Sequence, residues 1–184
     1  MGPMNRRDLL LLLAGTAALP NDLLAFGRTV HKRARSGMLR ALTPHQSETA
    51  AAIAELIIPK TDTPGAREAG VPAFIDFMLA ESTEDDGQRQ TFLAGLANVD
   101  ERSRAAFGKD FIAGTPQQQT EILQDLDYEL ARLRDTKSDL SKNFFNGIKW
   151  LTLFGYYTSE AGATTEQHYT VVPGRYEPCY PLDQ

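Results

Sequence analysis

With 184 residues the chain has room for one hydrophobic core, and removing an N-terminal signal would still leave about 140 to 160 residues to build it. Its net charge of −5 is unevenly spread: residues 1–40 carry seven Lys/Arg against two Asp/Glu, and the rest carries twelve against twenty-two. The body is therefore acidic and lacks a basic patch, which argues against nucleic acid as a partner.

The positive end has a local cause. Asn5-Arg6-Arg7-Asp8 leads straight into an apolar run, Leu9 to Leu19, softened by Ala14, Gly15 and Ala17. The run is shorter than the roughly 20 residues a membrane-spanning helix needs, so it reads as the apolar region of a signal. Arg6 and Arg7 ahead of leucines resemble a twin-arginine export signal over residues 1–26, read by the twin-arginine export machinery and giving a periplasmic destination. Small residues at Thr16-Ala17-Ala18 and at Leu23-Leu24-Ala25 offer two cleavage points. Residues 27–42 are basic with little apolar period and read as a solvated linker.

The helical domain is expected over residues 43–158. Thr43-Pro44-His45-Gln46 has the capping-box arrangement with proline at the first helical position, and Ala50, Ile53, Ala54, Leu56 and Ile57 follow at helical spacing until Pro59. Two prolines and two glycines between Ile58 and Val71 predict a rigid, turn-rich loop. A short apolar helix follows, with Pro72 in its first turn and Phe74, Ile75, Phe77, Met78 and Leu79 in its body. Glu81 to Gln88 reads as an acidic break. Thr91 to Phe107 is the third helix, with Phe92, Leu96 and Val99 on one face and Asp100, Glu101, Arg102 and Arg104 on another. Gly108 and Gly114 bracket a loop, and Thr115-Pro116-Gln117-Gln118 repeats the capping box. Ile122, Leu123, Leu126, Leu130 and Leu133 then give the clearest helical stripe in the chain. Ser138 or Ser141 is expected to cap the last helix, which runs to about Tyr157. The fold class is all-α: a small domain of about five helices with a long extended C-terminal tail over residues 159–184.

Aromatic residues gather at this end. Between Phe144 and Leu182 lie nine of the sixteen aromatics, the only tryptophan, Trp150, and the only cysteine, Cys179. The helix from Phe144 to Tyr157 is apolar on more than one face, so it is either central to the domain or shared with a partner. Beyond it Tyr169, Tyr176, Cys179 and Tyr180 alternate with Pro173, Gly174, Pro178 and Pro181. Such a run cannot make its own core, and at about 3.3 Å per residue the part from Ala161 onward could reach roughly 80 Å across another subunit. Cys179 is either a free thiol or one half of a bond to another chain.

The chain offers little of what catalysis needs. It has no phosphate-binding glycine loop and no nucleophile elbow, and its one cysteine cannot supply a haem attachment or hold an iron–sulfur cluster. His31, His45 and His168 have no metal-gathering spacing, and the calcium-loop-like Asp135 to Asp139 continues with Leu140 where the turn glycine belongs. No catalytic, cofactor-binding or metal residue is therefore expected. A self-contained enzyme would have to use Asp62, Arg67, His168 and the tail tyrosines.

Three stretches together resemble the gluconate 2-dehydrogenase subunit 3 family. They are the twin-arginine start, the loop Ile57-Ile58-Pro59-Lys60-Thr61-Asp62-Thr63-Pro64-Gly65-Ala66 with Ala69-Gly70-Val71, and the ending from Lys149-Trp150-Leu151-Thr152 through Gly155-Tyr156-Tyr157-Thr158-Ser159 to Pro173-Gly174-Arg175-Tyr176, Cys179 and Pro181. The resemblance implies a small subunit of a periplasmic sugar or sugar-acid dehydrogenase, held at the inner membrane through its partners. Its large subunit would be similar to glucose–methanol–choline flavoproteins and hold FAD, with haem c of a cytochrome c subunit or an iron–sulfur carrier elsewhere in the complex. The small subunit would bring the export signal and escort the large one. On this reading Trp150, Tyr156, Tyr157, Tyr169, Tyr176 and Tyr180 anchor the flavoprotein, and Cys179 is a candidate for an inter-chain disulfide. The rival is a free-standing periplasmic binding or structural module.

Overall fold

The structure is a computed structural model that describes residues 38–81 and 86–167. Arg6 and Arg7 of the signal, most of the basic linker, and His168, Tyr169, Tyr176, Cys179 and Tyr180 of the tail lie outside the described residues. Among those described there are five α-helices: α1 (Pro44–Ile57), α2 (Val71–Glu81), α3 (Asp86–Phe107), α4 (Pro116–Asp135) and α5 (Phe144–Tyr157). A 3-10 turn at Phe111–Ala113 and a π turn at Gly162–Glu166 complete them, and none of the helices is long and apolar enough to cross a membrane.

Local chemistry sets most helix ends. The Thr43 hydroxyl accepts from the Gln46 backbone N–H while the Gln46 side chain accepts from that of Thr43, and Thr115 and Gln118 repeat the arrangement at α4. Both boxes satisfy N–H groups that a helix start leaves orphaned. At α5 the cap is Asn143, whose side-chain oxygen accepts from the Asn146 N–H at 2.9 Å, and not Ser138 or Ser141. The Ser141 hydroxyl is bonded to Asp139 instead, at 2.9 Å. Helix α3 begins five residues before the expected Thr91. Gln88, Arg89 and Gln90 show no apolar period, but they are good helix formers, and extending an existing helix costs far less than nucleating one.

Helix α5 is the centre of the domain. It packs against each of the other four helices, with Phe145, Ile148, Leu151, Thr152, Gly155 and Tyr156 buried. Around it stand Ile53 from α1, Phe74 and Ile75 from α2, Leu96 and Val99 from α3 and Leu130 from α4, all fully buried. Two buried hydroxyls, those of Ser103 and Thr152, make no hydrogen bond among the described residues. An unpaired buried hydroxyl costs stability, so Thr152→Val is expected to stabilise the chain by about 1 kcal/mol. The unfolding midpoint should rise by about 2–4 °C. A lowered midpoint in a calorimetric scan would mean that the hydroxyl is satisfied after all.

Two boundaries differ from expectation. Residues 40–42, read as linker, belong to the domain, because the buried Asp76 carboxylate accepts from the backbone N–H groups of Arg40, Ala41 and Leu42 at 2.9, 3.0 and 2.9 Å. The Arg40 guanidinium also lies over the Phe77 ring and pairs with Glu81 at 2.7 Å. At the other end, the first residues of the stretch expected to be extended are helical as far as Glu166. The buried Ser159 hydroxyl donates to the Tyr156 carbonyl at 2.6 Å and accepts from the Gly162 N–H at 3.0 Å, which turns the chain into a further helical turn.

Candidate functional site

No group of three or more His, Cys, Asp or Glu side chains among the described residues could hold a metal ion. His45 and Asp100 meet at 2.6 Å, and Asp100 also accepts from the Phe111 N–H at 3.0 Å. Asp100 was expected on the polar face of α3, yet it is buried, because it ties α1 and the 3-10 turn to α3. Of the groups a self-contained enzyme would need, Asp62 is exposed and the Arg67 guanidinium pairs with Glu48 at 2.7 Å. Among the described residues three cations have raised pKa values: Lys60 through its hydrogen bond to Glu68, Arg102 through Glu129 and Arg104 through Asp110. The shifts keep these groups charged and do not ready them for proton transfer.

The loop between α1 and α2 is built around one carboxylate. Glu55 accepts from the backbone N–H groups of Lys60 and Arg67 at 3.2 and 2.9 Å, while Ala66 N–H donates to the Ile58 carbonyl at 3.0 Å. A Cβ on Gly65 would stand 2.7 Å from the Lys60 nitrogen and closer still to the Glu55 carboxylate, so the wrapped loop has room only for glycine there. The Tyr156 hydroxyl donates to the Pro64 carbonyl at 2.9 Å. Tyr156 is only 1% exposed, so it is a core residue that buttresses this loop and not the surface anchor expected of it. Tyr156→Phe should cost about 1 kcal/mol, the usual net value of one hydrogen bond. It should leave any association of the chain unchanged, and weakened association in a stable Tyr156→Phe protein would restore Tyr156 as an anchor.

The outer face of α5 is different in kind. Trp150, Leu153 and Tyr157 are 51%, 44% and 38% exposed, and with Phe154 beneath them they follow the 3-4-7 spacing of a single helix face. The Trp150 ring stacks on Phe154 at 5.0 Å with planes 11° apart, and Phe154 meets the fully buried Phe74 edge-on at 5.8 Å. The exposed indole is thus held from the core outward. An aromatic fixed before contact loses little entropy on binding, which is the property of an interface hot spot.

Beside this stripe lies a groove of about 430 Å³ between the end of α2, the start of α3 and the first turns of α5. Its lining includes Met78, Phe92, Phe144, Gly147, Trp150 and Leu151. Trp150 belongs to both, so stripe and groove form one continuous surface. Of the expected anchors, the described structure therefore presents Trp150 and Tyr157, withdraws Tyr156, and does not reach Tyr169, Tyr176, Cys179 or Tyr180. Leu153, Phe154 and Gly147 were not singled out as site residues. The 3-4-7 spacing of the second stripe could have found the first two.

The family model described as Gluconate 2-dehydrogenase subunit 3 matches residues 44–174. No curated protein and no solved structure matches the chain.

Proposed function

The chain belongs to the gluconate 2-dehydrogenase subunit 3 family, and from that premise we propose that it is the non-catalytic small subunit of a periplasmic, FAD-dependent sugar or sugar-acid dehydrogenase complex. The observation that carries the proposal is the exposed, core-braced aromatic stripe of α5 in a chain whose family is that of a dehydrogenase subunit. Catalysis is assigned to a large flavoprotein of the glucose–methanol–choline type, which holds the FAD. Electrons leave it through haem c of a cytochrome c subunit or through an iron–sulfur carrier. The small subunit contributes the twin-arginine signal with Arg6 and Arg7, and it stabilises the large subunit through Trp150, Tyr157 and the tail residues Tyr169, Tyr176, Cys179 and Tyr180. The domain's acidic charge and the pairing of Lys60, Arg102 and Arg104 with Glu68, Glu129 and Asp110 are consistent with a protein partner.

The test is to purify the tagged full chain from the envelope of its own host and record its mass and visible spectrum. Flavin absorbance with a much larger co-purifying polypeptide is the expected result, and a non-reducing gel of the same sample reads the state of Cys179. A colourless species of the chain's own mass would overturn the proposal in favour of a free-standing binding or structural module.

A further inference from the structure

Glycine inside a helix is less stable than alanine, so a helix-internal glycine has a reason elsewhere. Two here have reasons within the domain. A Cβ on Gly155 would fall 2.8 Å from a Phe74 ring carbon, and one on Gly95 would collide with the Phe144 ring. Gly147 has none of this kind. It stands in the first half of α5 without the positive φ found at Gly70 and Gly108, and a Cβ there would meet nothing within 4 Å among the described residues. What it faces is the groove, where a missing side chain lets an incoming group approach the helix backbone closely.

The groove has a charged rim as well as a shape. Its floor is apolar, from Phe92, Phe144 and Leu151, with Met78 able to adjust to what enters. One rim is the start of α5, where the helix presents its positive end. On that rim Lys142 is exposed and makes no ion pair among the described residues, in contrast to Lys60 and Lys149, which pair with Glu68 and Asp127. The complement of such a groove is an apolar side chain with a carboxylate beside it.

We propose that the groove beside Gly147 receives an apolar side chain of the flavoprotein subunit, seated against the α5 backbone, with a neighbouring carboxylate of that subunit paired to Lys142. The inference rests on the subunit reading above and extends it. Continuity through Trp150 assigns groove and stripe to the same partner: the stripe supplies an outward aromatic, and the groove takes a side chain in return. Reciprocal insertion fixes register as well as affinity.

The test uses the full chain co-expressed with the flavoprotein subunit. Gly147→Leu fills the groove, and Lys142→Glu reverses the rim charge at an exposed position where folding is not at stake. The readouts are the flavin retained on the tagged chain and the unfolding midpoint of the chain alone. Gly147→Leu should leave the midpoint unchanged or raised, because leucine is the better helix former, and should lower retention at least tenfold. Lys142→Glu should lower retention several-fold at low salt and lose less at high salt, as screening weakens the repulsion. Wild-type retention by both variants, with the wild-type complex intact, would overturn the groove proposal and leave the subunit reading standing. Gly147→Leu that instead changes the chain's own oligomeric state, or exposes its C-terminal residues to protease, would overturn it by giving the groove to a second copy or to the chain's own tail. A wild-type chain that brings no flavoprotein would overturn both readings together.

Discussion

Replacing Arg6 and Arg7 together by lysine is expected to strand both subunits in the cytoplasm and to bring dehydrogenase activity in the envelope to background. Lysine keeps the charge, so the region remains as basic as before, and a general attraction to anionic lipid would survive the change. What is lost is the planar, multiply donating guanidinium pair that the export machinery is proposed to read. The two-subunit outcome carries the weight of the test. If the flavoprotein is escorted, it follows the small subunit's fate, and fractionation finds both polypeptides inside the cell. Should the flavoprotein still reach the periplasm, the escort role is wrong even if the small subunit itself is retained.

Trp150→Ala is expected to weaken the complex by about 2–4 kcal/mol, the range of an interface hot spot, or roughly 30- to 1,000-fold in Kd. The magnitude follows from preorganisation. The indole is 51% exposed, yet its orientation is set by stacking on Phe154, which itself rests on Phe74. Within the isolated chain the same substitution removes one aromatic contact and exposed area, so it should cost only about 0.5–1.5 kcal/mol of stability. A large loss of association with a small loss of stability is the signature to look for, by titration of the purified flavoprotein onto wild-type and variant chains. Tyr157→Ala, at the stripe's far end, should show the same pattern with a smaller amplitude. Equal affinity for wild type and Trp150→Ala would remove the stripe from the interface.

The family reading and the fold class were legible early for different reasons. The Ile57 to Val71 loop stood out because two prolines and two glycines so close together restrict the backbone to few paths. The structure adds why the loop also needs Glu55, which lies outside the motif in α1 and gathers two of its N–H groups. No local pattern marks a glutamate for that duty. Asp76 and the His45–Asp100 pair escaped notice likewise, since each bonds to groups 34 to 55 residues away. Tyr156 and Tyr157 could not be told apart as neighbours in an aromatic helix. One step of helix rotation puts the first in the core, bonded to Pro64, and leaves the second at the surface.

By itself the sequence determined what depends on near neighbours: five helices, the two capping boxes that start α1 and α4, the prolines that stop or open helices, and the apolar stripe of α4. These rest on hydrogen bonds and side-chain contacts within one or two turns, so short-range spacing carries them. The tertiary structure alone decided which of the several apolar faces of α5 is spent on the core. Four helices pack around it and cover Phe145, Ile148, Leu151 and Tyr156, and what they leave uncovered is Trp150, Leu153, Tyr157 and the open backbone at Gly147. Spacing reveals both apolar stripes of such a helix but not which of them is covered, because burial is settled by which neighbours arrive and not by the helix that receives them.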